Sequence, residues 1–263
     1  MLSADQRTEL AGSLRRAERE RSPIPPLVRT NPDIDTADAY EIQLINVRRR
    51  GEEVVGHKVG LSSPAMQQMM GVDEPDYGHL LAGMRLGDDE PVDTELYCCP
   101  RVEVEVAFLL AEDVPPDVDE EGVLARTRAL APAIELIDSR IADWRISIAD
   151  TIADNASSAA FALGQQRVDP SRLDPRGIDA ELHRNGEVVE RGRSDAVLGN
   201  PATAVAWLAR KVAGYGVRLR AGNVVLPGSC TRAVDLRPGD EFRADFAGLG
   251  SVGLVAKPPR EVP

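Results

Sequence analysis

A half-buried β-strand is predicted from the segment Arg101-Val102-Glu103-Val104-Glu105-Val106. Its valines alternate with charged residues, and this period of two is typical of a strand that buries one face. The next apolar run, Phe108-Leu109-Leu110, predicts that the strand continues into the core. Arg101, Glu103 and Glu105 should therefore share one face of the strand.

A third acid, Glu135, lies in a similar apolar run, Pro132-Ala133-Ile134-Glu135-Leu136-Ile137. Buried carboxylates are costly unless a cation or hydrogen bonds compensate their charge. An exposed strand face that carries acids would explain Glu103 and Glu105 alone, but Glu135 in a second apolar run favours a metal site. Oxygen ligands favour Mg²⁺, Mn²⁺ or Ca²⁺ over zinc or copper. Three carboxylates also leave coordination positions for water and for a bidentate substrate such as a 2-oxo acid.

A lone lysine stands in the apolar segment Gly56-His57-Lys58-Val59-Gly60-Leu61. It could be a surface lysine whose stem lies along apolar groups, but the flanking glycines would let a ligand approach the backbone closely. Lys58 is therefore the best candidate for a substrate-facing cation. The acidic segment Asp73-Glu74-Pro75-Asp76-Tyr77-Gly78 follows, and its chemistry does not distinguish Asp73 from Asp76 as the functional residue.

Three further segments have interpretations that need no function. Turn and capping chemistry explains Asp154-Asn155-Ala156-Ser157-Ser158, which follows a helix-like segment, Ile141–Ile152. Gly248-Leu249-Gly250-Ser251-Val252-Gly253 matches a dinucleotide-binding pattern, but no helix can follow it before the Pro-rich end, so it predicts a turn into the last strand. The third is a set of methionines at helical spacing, which predicts core packing: Met66, Met69 and Met70.

Composition limits the classes of partner. With 263 residues, 43% of them hydrophobic, the chain can bury a good core. The net charge of -12 argues against binding to nucleic acid or to an anionic membrane. No apolar run is long enough for a membrane span, and Met1–Arg21 is charged and helical rather than a signal peptide, so we expect a cytoplasmic protein. Three cysteines cannot all pair, and three scattered histidines give little support for zinc.

The order of elements predicts an α+β fold. Ser3-Ala4-Asp5-Gln6 has capping-box spacing and starts a first helix, and a second runs from about Asp35 to Gly51. These helices predict a small helical N-terminal lobe, residues 1–53, before a β-rich metal-binding catalytic domain, residues 54–263. Asn185-Gly186 predicts a tight hairpin turn, and Asn200 with Pro201 predicts the start of a later helix. The other predicted strands lie near Val54–Val59, Val224–Leu226, Glu241–Phe246 and Ser251–Val255.

Together these segments resemble the 2-hydroxypenta-2,4-dienoate (2-keto-4-pentenoate) hydratases of the fumarylacetoacetate-hydrolase superfamily. The resemblance runs essentially from end to end. Its motifs, in order, are Gly56-His57-Lys58-Val59-Gly60-Leu61-Ser62, Gly71-Val72-Asp73-Glu74-Pro75-Asp76-Tyr77-Gly78, Pro100-Arg101-Val102-Glu103-Val104-Glu105, Pro132-Ala133-Ile134-Glu135, Ser139-Arg140-Ile141 and Asp154-Asn155-Ala156-Ser157. The segment Leu226–Val234 is most similar to the actinobacterial branch that acts on 2-hydroxyhexa-2,4-dienoate in steroid ring degradation.

The resemblance implies a mixed β-roll or sandwich with the small helical lobe, and a homo-oligomer built on pentameric rings, either a pentamer or a decamer. It implies Mg²⁺ or Mn²⁺ on three carboxylates, in agreement with the reasoning from burial: Glu103, Glu105 and Glu135. It implies catalytic roles for Lys58, Asp76 and Ser157. We also expect substrate-binding roles for Leu61, Arg140, Asn155 and Ser229.

The implied reaction is the addition of water to a 2-hydroxy-2,4-dienoate, which gives a 4-hydroxy-2-oxo acid in aromatic or steroid ring catabolism. Within the superfamily, a 4-oxalocrotonate-type decarboxylase is an alternative, and Arg140 or Arg232 could serve its second substrate carboxylate. A C–C bond hydrolase would need a histidine pair such as His57 and His79. A non-catalytic partner in a pathway complex is the alternative from another class. The downstream aldolase for 4-hydroxy-2-oxo acids is a plausible partner only by analogy with the family.

Overall fold

Two β-sheets form the centre of the computed structural model, which describes residues 1–87 and 90–259. The larger sheet has the strand order β2-β1-β8-β3-β4-β5, with β9 paired to β3, and the smaller has the order β11-β10-β6-β7. The strands are β1 Val54–Gly60, β2 Asp76–Leu81, β3 Arg101–Leu110, β4 Thr127–Ile137, β5 Ser158–Leu163, β6 Asp179–Arg184, β7 Glu187–Arg193, β8 Val224–Leu226, β9 Val234–Asp235, β10 Glu241–Phe246 and β11 Gly250–Val255. Only β1 and β8 pair in parallel among these strands, so the larger sheet is mixed.

The α-helices of the described residues are α1 Ala4–Glu20, α2 Leu27–Thr30, α3 Thr36–Arg50, α4 Pro64–Met70, α5 Glu120–Ala125, α6 Ile148–Ala153 and α7 Pro201–Ala213. Three of them, α1, α3 and α7, begin directly after the residues from which their starts were predicted: Ser3, Asp35 and Asn200. Ser3 and Gln6 form the expected capping box of α1, and Gly51 ends α3 in the left-handed conformation. Asn200 caps α7 through the backbone N–H of Ala202. The α+β prediction is confirmed.

The alternation along β3 separates two environments. Val102, Val104 and Val106 belong to a large apolar cluster that also includes side chains of α1, α3 and α7. Ala107 and Leu109 project from the opposite face into a second, smaller cluster. Glu103 and Glu105 share that face, so its lining changes from acidic to apolar along the strand.

Strand β4 repeats this gradient in the opposite direction, because it runs antiparallel to β3. Ala129, Ala131 and Ala133 belong to the smaller apolar cluster, and Glu135 follows them on the same face. The acids of both strands therefore lie at one end of this face, and the smaller apolar cluster occupies the other end. The pattern predicted from the sequence thus places a polar site at one end of the sheet.

The hairpin between β6 and β7 confirms the turn signal in the sequence. Asn185 and Gly186 have φ angles of 54° and 83°, as a tight turn with two left-handed residues requires. The glycine-rich segment that matches a dinucleotide pattern is a turn into β11, as expected. Among residues 1–87 and 90–259, no helix combines the length and apolar character that crossing a membrane requires.

Two expectations about local structure are wrong. Met66 and Met69 are not core residues but are 40% and 75% exposed, because α4 buries none of its side chains. The segment Ile141–Ile152 is α-helical only from Ile148 onward. Before it lies a short 3₁₀ turn, Ala142–Trp144, in which Asp143 and Trp144 take positive φ angles that a right-handed helix does not allow.

The division at residue 53 remains a proposal about domain organisation. Leu10 and Leu14 of α1 and Tyr40 of α3 share the larger apolar cluster with β3 and α7. The N-terminal helices therefore pack on the same core as the strands. The end of the proposed second domain, residues 260–263, lies outside the described residues.

Candidate metal centre and catalytic site

Three carboxylates converge where β3 and β4 pair. Glu103 and Glu135 are directly opposite each other in the antiparallel register, and Glu105 lies two residues further along β3 on the same face. One carboxylate oxygen from each residue lies within 4.8 Å of the others. The three acids predicted as metal ligands are therefore brought together by strand register.

The site strongly disfavours negative charge unless a cation is present. Glu105 and Glu135 are fully buried and Glu103 is partly buried. Burial raises the pKa of Glu103 to about 7, and the adjacent Glu135 adds to this while Lys58 opposes it. Burial, followed by the charge of Glu135, raises the pKa of Glu105 well above its ordinary value.

The hydrogen bonds in the site leave carboxylate oxygens available to bind a metal. The backbone N–H of Gly228 donates to Glu105 Oε2 at 2.7 Å, whereas Glu105 Oε1 and Glu135 Oε1 have no hydrogen-bond partner among residues 1–87 and 90–259. Gly228 has a φ of 129°, and a Cβ there would lie 1.9 Å from Ser62 Oγ. Glycine is therefore required where this backbone passes Ser62 and turns its N–H toward Glu105. Buried carboxylate oxygens without partners, on three converging acids, fit a hard divalent cation.

Lys58 extends from β1 into the same site. Its side chain is buried, with Nζ 3.3 Å from Glu135 Oε2, and Nζ donates to the carbonyl oxygen of Ala156 at 3.1 Å. Burial alone would lower the pKa of Lys58, but the nearby carboxylates, Glu135 first, outweigh it and raise that pKa. The group is therefore an ammonium ion when the carboxylates around it are ionised.

Asp76, at the start of β2, is the acid that the family resemblance implies and that residue chemistry alone did not distinguish from Asp73. Asp76 is 1% exposed and pairs with Gly60 across the β1–β2 ladder, whereas Asp73 is exposed. Burial raises the pKa of Asp76, although Lys58 opposes this. The structure thus brings Asp76, not Asp73, beside Lys58.

Gly60 lets this carboxylate approach the sheet, and replacing it should be costly. A Cβ at Gly60 would lie 2.1 Å from Asp76 Oδ1, so Gly60→Ala should force the carboxylate aside and destabilise the fold by about 1–3 kcal/mol. Gly12→Ala in α1 is the matched control, because its Cβ would meet nothing within 4 Å and alanine favours a helix. Denaturant unfolding measures both variants, and equal stability of the two would contradict this packing argument.

The segment Asn155–Ser157 has an unusual backbone. Its three residues have φ angles of 57°, 50° and 56°, in the left-handed region that costs about 1–2 kcal/mol for an ordinary residue. This conformation directs the Ala156 carbonyl to Lys58. Ser157 is 4% exposed, and its Oγ has no hydrogen-bond partner in the described part of the chain. Strain of this kind often accompanies functional sites.

The four residues expected to bind substrate have the following surroundings. Arg140 donates from Nε to Asp154 Oδ1 at 2.6 Å, and the side chain of Asn155 bonds to the backbone of His79. Leu61 is buried with a φ of 52°, directly after β1. Ser229 follows Gly228, and its Oγ lies 3.3 Å from the backbone nitrogen of Val104. Their roles in substrate binding stay predictions.

The two histidines required for a C–C bond hydrolase lie on the other face of the sheet. His57 and His79 pair across β1 and β2 with ring centroids 5.0 Å apart, and strand alternation places them opposite to Lys58 and Asp76. Burial lowers the pKa of His79 to about 4 and that of His57 well below its ordinary value. Both are therefore neutral near pH 7 and do not face the carboxylates.

Stability should depend on pH in opposite ways with and without metal. Without metal, Glu103 titrates at about 7 in the folded protein and near 4.5 in the unfolded chain, so unfolding becomes easier as pH rises through this range. Mg²⁺ competes with these protons, so the rise in melting temperature that it causes should be larger at about pH 8 than at about pH 5.5. Thermal unfolding with Mg²⁺ and with a chelator tests this. An equal Mg²⁺-induced shift at both pH values would contradict it.

Comparison with known proteins adds independent information. The chain matches the family described as fumarylacetoacetate (FAA) hydrolase C-terminal over residues 86–254. It is 43% identical to a 2-keto-4-pentenoate hydratase of Paraburkholderia xenovorans (strain LB400), over 95% of each chain. It is 39% identical to a 2-hydroxyhexa-2,4-dienoate hydratase of Comamonas testosteroni, over 90% of this chain and 92% of that protein.

A solved structure is similar over almost the whole chain. It is 4-oxalocrotonate decarboxylase from Pseudomonas putida G7, complexed with magnesium and adipate, with a TM-score of 0.93 and 34% identity. The match covers 97% of this chain and 99% of that one. This similarity confirms the fold expected from the sequence.

Proposed function

The chain belongs to the fumarylacetoacetate hydrolase family, and from this premise we propose that it is a hydro-lyase that adds water to a 2-hydroxy-2,4-dienoate. The product is a 4-hydroxy-2-oxo acid. The observation that carries the proposal is the convergence of Glu103, Glu105 and Glu135 beside the buried Lys58. The hydratase names of relatives at 43% and 39% identity support the same reaction.

The cofactor is a divalent cation, Mg²⁺ or Mn²⁺, held by Glu103, Glu105 and Glu135. With Asp76 these acids make four carboxylates, and the ammonium of Lys58 balances one of their negative charges when the site is ionised. The similar decarboxylase structures are complexed with magnesium or with calcium, which fits an oxygen donor set. When bound, such an ion supplies Lewis-acid stabilisation of negative charge on the oxygens of the substrate.

The side chains around the carboxylates supply proton transfer and orientation. As the dienol becomes a conjugated 2-oxo-3-enoate, C5 gains a proton and the 2-hydroxyl group loses one. We assign Lys58 as the group that gives the proton to C5, and Asp76 as the partner that takes the hydroxyl proton and returns it to Lys58. Ser157, whose Oγ has no partner, orients the water that adds at C4. Ser229 forms a β-bridge with Glu105, and Leu61 directly follows Gly60, which pairs with Asp76, so both would contact the substrate.

The first experiment follows the ultraviolet absorbance of freshly generated 2-hydroxypenta-2,4-dienoate with protein and Mg²⁺. Mass analysis of the product and a chelator control complete it. Metal-dependent loss of the dienoate to a product heavier by one water is the expected result. Comparison with 2-hydroxyhexa-2,4-dienoate then tests the finer proposal that the substrate comes from steroid ring degradation. A dienoate that disappears at the same rate without protein would refute the hydratase assignment.

Decarboxylation of a 4-oxalocrotonate-type 2-oxo diacid is the second candidate, because the decarboxylase structure matches almost the whole chain. This activity needs a cation for the second carboxylate of the substrate. Arg140 is already paired with Asp154, and Arg232 is exposed. Release of CO₂ from the diacid, without hydration of the dienoate, would favour this candidate over the first.

Assembly and location are proposals that rest on the family resemblance. We propose a homo-oligomer, either a pentamer or a decamer, that works in the cytoplasm and passes its product to an aldolase for 4-hydroxy-2-oxo acids. Three free cysteines are compatible with a reducing compartment. Light scattering after size-exclusion chromatography would measure the number of chains, and a monomer would refute the oligomer. Co-purification with the aldolase would test the partnership.

A further inference from the structure

The left-handed segment Asn155–Ser157 is held from two sides, and its middle carbonyl contacts Lys58. We propose that Arg140 and Asn155 are positioning residues, which hold this segment so that the Ala156 carbonyl oxygen fixes the Lys58 ammonium in its reactive position. The inference rests on the proposed role of Lys58. It gives Arg140 and Asn155 a function that requires no contact with the substrate.

The first clamp is an ion pair at the start of the segment. Arg140 is 5% exposed and Asp154 is 4% exposed. The Arg140 backbone N–H donates to Asp154 Oδ2 at 2.9 Å, Nε donates to Oδ1 at 2.6 Å, and Nη2 donates to the Asp154 carbonyl oxygen at 2.6 Å. Three bonds from one residue therefore fix both the side chain and the backbone immediately before Asn155. A lysine could not reproduce the forked contact.

The second clamp ties the segment to β2. Asn155 Oδ1 accepts from the His79 backbone N–H at 2.8 Å, and Nδ2 donates to the His79 carbonyl oxygen at 2.9 Å. Gly78 makes room for it, because a Cβ at that position would lie 2.3 Å from the Asn155 carbonyl oxygen. Asn155 thus pairs with β2 as a neighbouring strand residue would. Asparagine also tolerates the left-handed conformation better than most residues.

The two clamps have a consequence for Lys58. A lysine side chain has several rotatable bonds, so its ammonium needs fixed acceptors to stay in one place. Within the described part of the chain, Nζ donates a hydrogen bond to the Ala156 carbonyl oxygen at 3.1 Å and forms an ion pair with Glu135 Oε2 at 3.3 Å. Glu135 is also a proposed metal ligand, whereas the Ala156 carbonyl oxygen binds Lys58 and has no role at the metal. The position of this carbonyl therefore decides where the ammonium group lies. Ala156 has no intrinsic preference for its φ of 50°, and the clamps must impose it.

A double-mutant cycle tests the inference. Arg140→Lys should lower kcat about 100-fold, the scale expected for a reacting group displaced by about 1 Å, with little change in KM or in Mg²⁺ affinity. Ala156→Gly makes the left-handed conformation intrinsically accessible. In the Ala156→Gly background, Arg140→Lys should therefore cost only about tenfold in kcat, because the segment then depends less on its clamp.

The control is Arg184→Lys, which alters an ion pair with Asp240 on the smaller sheet. It should leave kcat unchanged, so a loss of kcat specific to Arg140→Lys is not a general effect of weakening an ion pair. Asn155→Ala removes the second clamp without leaving a buried charge unpaired. It replaces Arg140→Lys in the test if that variant does not fold. Its loss of kcat should also be smaller in the Ala156→Gly background than in the wild type.

Several outcomes would overturn the inference. A higher KM with unchanged kcat in Arg140→Lys would make Arg140 a substrate ligand. An equal loss of kcat with and without Ala156→Gly would show that Arg140 does not act through the left-handed segment.

Hydrogen exchange at the amides of residues 155–158 should accelerate in Arg140→Lys, and this readout needs no substrate. Failure of the proposed hydratase function would instead appear as inactive wild-type protein in which this exchange still responds to Arg140→Lys.

Discussion

Lys58→Ala is expected to lower kcat by about 100- to 10,000-fold while Mg²⁺ affinity is retained. The range is that of general acid–base catalysis by a positioned side chain. Lys58 is the buried ammonium group that lies 3.3 Å from Glu135 and is held by the Ala156 carbonyl. Alanine removes the transferable proton and leaves the three acids in place. Removing a positive charge beside Glu135 also removes a competitor of the metal, so metal affinity should not fall.

The matched control for this variant is Lys257→Ala. Lys257 is about half exposed and pairs with Asp93 near the end of the described chain. Its replacement should change neither kcat nor Mg²⁺ affinity. Steady-state kinetics and calorimetric Mg²⁺ titration of both variants provide the comparison. Near-normal turnover by Lys58→Ala would remove this residue from the mechanism. A parallel loss of Mg²⁺ affinity would mean that Lys58 holds the carboxylates in place and would contradict a purely catalytic role.

The acids of the site could be predicted from sequence because their signal is local. Alternation along β3 fixes the shared face of Glu103 and Glu105, and the apolar run around Glu135 predicts burial. What the sequence could not give was the register that sets Glu103 opposite Glu135. Register depends on pairing between strands that are distant in sequence, and no short-range turn signal connects β3 to β4.

Other groups of the site could not be predicted from the amino-acid sequence. The Ala156 carbonyl and the Gly228 N–H are backbone groups, so their residue types carry no chemistry. Residue chemistry alone left Asp73 and Asp76 undistinguished. The family resemblance implied Asp76, and the physical reason for its position is the β1–β2 pairing, which places Asp76 against Gly60. The flanking glycines of Lys58 were a usable sign of close approach, although what approaches Gly60 is the Asp76 carboxylate.

The two errors about local structure arose because periodicity is a local signal, whereas tertiary contacts decide burial and helix length. Periodicity predicted burial for Met66 and Met69, but the short α4 lies on the surface between β1 and β2. Periodicity also extended a helix back to Ile141, where Asp143 and Trp144 are left-handed instead. Pattern predicts which side chains could pack together, whereas tertiary contacts decide whether a partner surface is available.

Glu103→Gln should weaken Mg²⁺ binding by at least about 100-fold, because even groups that only support metal ligands contribute about 10- to 100-fold. Glutamine keeps the shape of the side chain but not its charge. The same change should have the opposite effect on the metal-free protein. Burial raises the pKa of Glu103 to about 7, so at about pH 8 the folded protein must hold an unfavourable negative charge that glutamine lacks.

The opposite effects of Glu103→Gln on stability with and without Mg²⁺ distinguish a lost metal ligand from a damaged fold. At about pH 8, Glu103→Gln should melt at a higher temperature than the wild type in a chelator and at a lower temperature in excess Mg²⁺. Glu181→Gln changes a partly exposed strand acid paired with Arg191, and it should alter the melting temperature neither in chelator nor in excess Mg²⁺. A variant that melts lower under both conditions would have lost packing, and one with unchanged Mg²⁺ dependence would exclude Glu103 from the metal site. Only a carboxylate that is costly alone and stabilising with a cation produces the crossed result.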